Sequence, residues 1–290
     1  MAESGPRKAM MEGRVCMVTG SNSGIGLVTA RRLAELGATV VMVSRDRRRG
    51  EKALNEVQRK SKNSRVELML CDMASMDSVR ALAAEYQKGH GELHVLVNNA
   101  GGANVMRSET ADGYETTLEV NYLSPFLLTN LLLDLLKSSA PSRVVNVSSV
   151  ANFNGNIEFG DLQMKNNYSV MKAYSRSKLA LVLFTYELAR RLKGSGVTAN
   201  CLHPGAVATN IWGKPLGPAS FLAKITRLFM IGAEEGAKTS VYLASSPEVE
   251  GVTGKYYDQM HETRSAAASY DEALAARLWE TSTKLVGIPA

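Results

Sequence analysis

The 290-residue chain is 45% hydrophobic and 21% charged, a balance that supports a sizeable core and excludes a disordered or coiled-coil protein. Its net charge of +6 is spread along the chain, and the densest run, Arg45-Asp46-Arg47-Arg48-Arg49, reads as a solvated helix start, so no nucleic-acid partner is expected. No segment is apolar for the roughly 18 residues that a membrane-crossing helix needs, which excludes an integral membrane segment from the reading.

Residues 1–12 are polar and read as a flexible N-terminal arm, with no signal peptide. From residue 13 to 290 short apolar runs alternate with amphipathic ones, and nothing divides them, so a single domain is expected. Strands are predicted at 15–19, 39–44, 66–71, 93–98, 143–148 and 198–203, with a seventh near 254–257. Their nearly all-apolar, β-branched character is that of strands covered by helices on both faces. Helices are predicted at 25–36, 76–86, 114–136 and 175–192 from apolar residues three and four apart. The order implies an α/β fold: a Rossmann-type doubly wound parallel sheet of about seven strands with helices on both faces.

Two stretches fall outside the alternation. Residues 152–167 are Asn/Gly-rich and read as a loop. Residues 212–231 open with Gly and Pro and then carry Phe221, Leu222, Ile225, Leu228, Phe229 and Met230. They fit a core helix, a lid over a hydrophobic substrate or a peripheral membrane contact, and the sequence leaves the three open. Cys16, Cys71 and Cys201 lie far apart in apolar runs without metal-ligand spacing, so no metal is expected and the cytoplasm is the natural compartment.

The first strand runs directly into Gly20-Ser21-Asn22-Ser23-Gly24-Ile25-Gly26. Gly20 permits a tight turn, Gly24 lets backbone approach a pyrophosphate, and Gly26 lets helix and sheet pack closely. The positive end of the following helix then faces the phosphates. The second strand ends in Ser44-Arg45, where a carboxylate would select an unphosphorylated ribose. A guanidinium there matches a 2′-phosphate, so NADP(H) is the expected cofactor.

Tyr174 and Lys178 stand one helical turn apart in Tyr174-Ser175-Arg176-Ser177-Lys178, predicted to open a helix. An ammonium about 4 Å from a tyrosine hydroxyl supplies ~4 kcal/mol, enough to lower its pKa by ~3 units. Tyr168 and Lys172 have the same spacing but would start the helix too early. His203 reads as structural, Trp212 and Trp279 as packing residues, and His90, His94 and His261 form no cluster.

These motifs, with Asn98-Asn99-Ala100-Gly101, Asn121, Ser149 and Pro204-Gly205, occur in one order. In that order they resemble the short-chain dehydrogenase/reductase family over about residues 13–260. The stretch from Leu127 to Pro204 and the ending Ala275-Ala276-Arg277-Leu278-Trp279 resemble its retinol dehydrogenase branch. The resemblance implies hydride transfer to or from a lipophilic carbonyl or alcohol, with Tyr174 as acid/base and Lys178 as its electrostatic partner and ribose ligand. It also implies Ser149 as the hydroxyl that polarises the substrate oxygen, rather than its neighbour Ser148, and Asn121 as the residue that positions a relay water. Asp72 would contact the adenine, Asn98 would secure the strand–loop geometry by the cofactor and Thr209 would reach the carboxamide, with Met73, Ala100, Gly101, Pro204, Gly205 and Val207 as further cofactor-binding residues. It permits a homodimer built from helices 114–136 and 175–192. Many members of that branch carry an N-terminal membrane anchor, and the polar start of this chain points to a soluble enzyme. Two competing functions are a cofactor-binding sensor or scaffold without turnover, and a reductase of a C=C bond or tetrapyrrole.

Overall fold

The computed structural model describes residues 10–205 and 232–289. Val207, Thr209, the 212–231 stretch and most of the N-terminal arm lie outside them. Residues 10–12 form a turn in which Met11 is buried against the core and its N–H bonds Leu36 O at 3.0 Å, so the arm ends earlier than the sequence implied.

Among the described residues one sheet has the order β3-β2-β1-β4-β5-β6-β7-β8. The strands are β1 (Val15–Thr19), β2 (Thr39–Ser44), β3 (Val66–Leu70), β4 (Val95–Asn98), β5 (Ser142–Val147), β6 (Val197–His203), β7 (Tyr256–Asp258) and β8 (His261–Thr263). All pairings are parallel except β7 with β8. The reversal of strand order beside β1 opens a crevice at the carboxyl ends of β1 and β4, the usual ligand position in such sheets.

On one face lie α1 (Gly24–Glu35) and α2 (Arg47–Ser61), with α8 (Ala233–Ser245) beside α1; the other carries α3 (Met76–Gly89) and the segment from Thr116 to Ser138. That segment is not the single helix predicted. A turn, α4 (Thr116–Leu118), leads into a π-helical stretch at Glu119–Leu123, then α5 (Ser124–Leu131) and α6 (Leu133–Ser138). The long helix α7 (Val170–Arg191) is buried from Ala173 to Ala189. Its outer side is covered by α9 (Glu272–Val286), where Trp279 meets Phe126 edge-on at 5.0 Å and Ser282 bonds the Tyr122 hydroxyl at 2.6 Å. Helix α9 thus covers part of α7, one of the two helices from which the sequence permits a homodimer.

Candidate active site

Glycines shape the first loop. Gly20 (φ +65°) and Gly24 (φ +57°) adopt left-handed backbone, and a Cβ on Gly26 would lie 2.3 Å from Asn99 Nδ2 and 2.5 Å from Gly20 O. Asn99, noticed in the sequence only as part of a motif, is the brace of this corner. Its N–H donates to Thr19 Oγ1 at 3.0 Å and its side-chain amide to Thr19 O at 2.8 Å. Ser21 is buried and its hydroxyl donates to Val43 O at 3.3 Å, so it holds the loop to β2 rather than facing a ligand. Ser23, the N-cap of α1, makes no side-chain capping bond. The N–H groups of the first turn are therefore available to an anion.

A groove of about 570 Å³ runs across the carboxyl edge of the sheet. Of the residues expected to hold the cofactor, Gly20, Asn22, Ser23, Gly24, Ile25, Gly26, Arg45, Asp72, Met73, Ala100, Gly101 and Pro204 line it, with Tyr174 and Lys178. Ser44 is buried beside it, with its hydroxyl donating to Asp46 O at 3.1 Å. Asn98 is buried beneath it and donates to Thr129 Oγ1 at 3.0 Å and Asn146 Oδ1 at 2.9 Å, tying β4 to β5 and α5. Gly205 (φ +86°) closes the described chain after β6. At the far end Arg45 is largely exposed, 3.8 Å from Asp72. Arg49 also lines the groove; a spacing of four from Arg45 in a predicted helix start was the signal that could have found it.

At the other end the catalytic candidates converge. Helix α7 opens at Val170 with Ser169 as N-cap, five residues before the expected start at 175. Tyr174 and Lys178 therefore sit in its second and third turns, on the side facing the groove. Tyr168 precedes the helix, and its hydroxyl donates to Asn104 O at 2.6 Å, pinning the loop after β4 instead of joining a proton-transfer pair. The two adjacent serines part company: Ser148 is buried at the groove wall and donates to Lys178 O at 3.0 Å, whereas the Ser149 hydroxyl acts on the Tyr174 hydroxyl, favouring its ionised form. Ser149 also caps a 3-10 turn at Val150–Asn154, which, with a second at Phe159–Asp161, replaces the plain loop expected there.

Lys178 is buried, its ammonium donating to Val147 O at 2.8 Å and lying 5.6 Å from the Tyr174 ring centre. Burial pushes its pKa down to about 8. The Tyr174 hydroxyl is moved upward by burial, with the Ser149 hydrogen bond acting in the opposite direction. The Tyr174/Lys178 spacing predicts an ammonium that lowers this hydroxyl. In this structure desolvation outweighs it, because the charge is directed to a backbone carbonyl and is itself desolvated. Asn121 lies in the π-helical stretch, accepting from Gly102 N–H at 2.8 Å and donating to Gly102 O at 2.8 Å and Ser177 Oγ at 3.0 Å. It thus joins the loop after β4 to α7. A π turn commonly marks such a functional position.

His203 accepts from Val150 N–H at 3.3 Å, and burial lowers its pKa, as befits a neutral structural ring. Arg176, not singled out from sequence, is buried and donates to the carbonyls of Asn156 at 2.9 Å and Leu162 at 3.2 Å, anchoring the segment over the site. A charged residue inside a strongly apolar helix was its only signal.

A glycine-lined groove at the strand-order reversal, ending in buried Tyr174 and Lys178, defines a dinucleotide-binding oxidoreductase. The chain belongs to the short chain dehydrogenase family, whose model matches residues 14–216, and falls in its retinol dehydrogenase branch. It is 44% identical to human retinol dehydrogenase 14 over 96% of this chain and 88% of that one. To human retinol dehydrogenase 12 it is 45% identical, again over 96% and 88%. A crystal structure of an uncharacterized protein from Mycobacterium Paratuberculosis is 36% identical, with a TM-score of 0.79 and coverage of 96% of both chains. The Pseudomonas aeruginosa RhlG/NADP active-site complex is 26% identical, with a TM-score of 0.68 over 87% of this chain and 96% of that one. The family uses a nicotinamide cofactor.

Proposed function

We propose that the protein is an NADP(H)-dependent oxidoreductase that moves a hydride between nicotinamide and a lipophilic carbonyl or alcohol carbon. The observation that carries this reading is that Tyr174 and buried Lys178 line one end of a groove whose opposite end presents Arg45 and Arg49. The residues fit the cofactor: uncapped N–H groups at α1 for the pyrophosphate, guanidinium groups for a 2′-phosphate, and Asp72 with Met73 for the adenine. A solved relative that binds NADP in its active site supports the same choice.

The bound nicotinamide supplies or accepts the hydride. In the reducing direction Tyr174 donates its proton to the carbonyl oxygen as the carbon gains the hydride. Ser149 donates a hydrogen bond to the same oxygen, where negative charge develops. Lys178 would hold the ribose, and Asn121 keeps the loop after β4 against α7. In the oxidising direction each step reverses. The retinol dehydrogenases among its relatives support a lipophilic substrate, and the three buried free cysteines suit the reducing cytoplasm.

Turnover tests this directly. NADPH oxidation with retinal, steroid ketones and simple aldehydes is expected for the wild type and not for Tyr174→Phe. Tight NADPH binding without turnover on any of them would favour a cofactor sensor instead.

A further inference from the structure

Behind Ser149 lies a polar side chain that the proposed chemistry leaves unused. Asn152 is fully buried, three residues beyond Ser149 in the 3-10 turn at Val150–Asn154. Burying a side-chain amide is costly unless its polar atoms find partners, and here both do. Its Nδ2 donates to Ser149 O at 2.7 Å and to the Tyr256 hydroxyl in β7 at 3.2 Å, and its Oδ1 accepts the Ala266 N–H at 2.9 Å. A carbonyl oxygen only accepts and an N–H only donates, so these partners fix which way the amide faces. The backbone N–H of Asn152 donates to Ser149 O as well, at 3.0 Å. Side chain and backbone of one residue thus grip the same carbonyl.

The grip matters because β5 ends at Val147, so Ser149 is placed by its turn and not by the strand ladder. Within that turn the Ser149 Oγ accepts the Ala151 N–H at 3.2 Å, which leaves its proton to be given elsewhere, and its hydroxyl acts on Tyr174. On the near flank the Val150 N–H donates to His203 Nδ1 at 3.3 Å. Asn152 ties the turn to two segments distant in the chain, β7 and the residues after β8. Gly155 closes it onto α7 so tightly that a Cβ would lie 2.6 Å from Ser175 O, one residue past Tyr174.

We infer that Asn152 is a positioning residue for the reaction: by holding the Ser149 carbonyl, it sets where the Ser149 hydroxyl stands against Tyr174 and the substrate oxygen. The inference rests on the proposed role of Ser149 as donor to that oxygen. Such a donor helps only when it is held in place before the charge develops, and a displacement of about 1 Å costs about a hundredfold in rate. Asn152 does not line the cofactor groove, so its loss should fall on kcat and leave the KM for NADPH unchanged.

The test is a double-mutant cycle. Asn152→Ala should lower kcat about a hundredfold in the wild type but less than about threefold in Ser149→Ala, because the group it positions is then missing. Equal losses in the two backgrounds would overturn the inference. Asn152→Asp keeps the shape but turns a second acceptor toward Ser149 O. Protonation of that carboxyl restores a donor, so its kcat relative to wild type should rise as the pH falls from about 8 to about 5; a constant ratio would also overturn the inference. A third readout needs neither cofactor nor turnover. The Tyr174 phenol, followed by ultraviolet titration of each protein against its Tyr174→Phe counterpart, should ionise at higher pH in both Asn152→Ala and Ser149→Ala, since the Ser149 hydroxyl favours the ionised form. A phenol that moves in Ser149→Ala alone would contradict the positioning role. Failure of the wild type to reduce any carbonyl would count against the oxidoreductase reading, and the phenol titration would still decide what Asn152 does.

Discussion

Replacing Lys178 by methionine should destroy activity while making the protein more stable near neutral pH. The ammonium is buried, and burial moves its pKa from 10.5 to about 8. That displacement corresponds to about 3 kcal/mol. Below about pH 8 folded and unfolded chains both hold the proton, and the folded state bears the full desolvation cost. Between about 8 and 10.5 the unfolded state still holds the proton that the folded state has released, so this contribution to stability rises with pH. Above 10.5 neither holds it and the cost is gone. Methionine has no such cost, although it leaves the Val147 carbonyl, now 2.8 Å from the ammonium, without its donor, which offsets about 1–3 kcal/mol at every pH. Urea unfolding of wild type and Lys178→Met from pH 7 to above pH 10 isolates the pH-dependent part. The stability difference between the two proteins should shift by about 3 kcal/mol in favour of the wild type across that range. A difference that stays constant with pH would refute the argument that the ammonium is held at a desolvation cost.

Other consequences follow from the same geometry. Ser149→Ala should lower kcat about 10²- to 10³-fold by removing a donor to the developing oxyanion, whereas Ser148→Ala, which loses a bond to the Lys178 carbonyl, should cost stability of about 1 kcal/mol. Comparing kcat and urea midpoints for the pair decides the assignment. If the proposed assignment of the exposed Arg45 guanidinium to a 2′-phosphate holds, Arg45→Ala should raise the KM for NADPH about tenfold with little change for NADH; an equal change for both cofactors would refute that role. Because α9 covers α7, light scattering should give the mass of a monomer. Trp279→Ala, which empties the aromatic contact with Phe126 and Phe184, should cost about 3–5 kcal/mol in unfolding.

The parts of this molecule that were legible in sequence are those where a local rule has one solution. β1 and β2 have the predicted bounds because runs such as Thr-Val-Val-Met-Val are β-branched, apolar and ended by turn chemistry. Asp46 was read as turning into a helix and caps α2 by accepting from Arg49 N–H at 2.8 Å. β4 starts two residues later than expected; at His94 the ring accepts the Val15 N–H, while the backbone still donates to Val15 O and accepts from Arg143 N–H. β8 escaped notice because His261-Glu262-Thr263 is short, polar and exposed, with no hydrophobic period to reveal it. The residues that brace the site, Asn99, Arg176 and Tyr168, act through contacts between segments far apart in the chain, which no local pattern encodes. For the same reason the helical period in 114–136 gave no sign of the π turn at Glu119–Leu123, whose extra residue places Asn121 against Gly102 and Ser177.

The central claim is hydride transfer, and a label follows the hydride itself. The measurement is single-turnover reduction of a lipophilic aldehyde with NADPH deuterated at C4 of the nicotinamide on either face, with mass analysis of the alcohol. One deuterium on the former carbonyl carbon from one of the two labelled cofactors, and none with Tyr174→Phe, is the predicted result. An alcohol without deuterium from either cofactor, or undiminished transfer in Tyr174→Phe, would contradict the account.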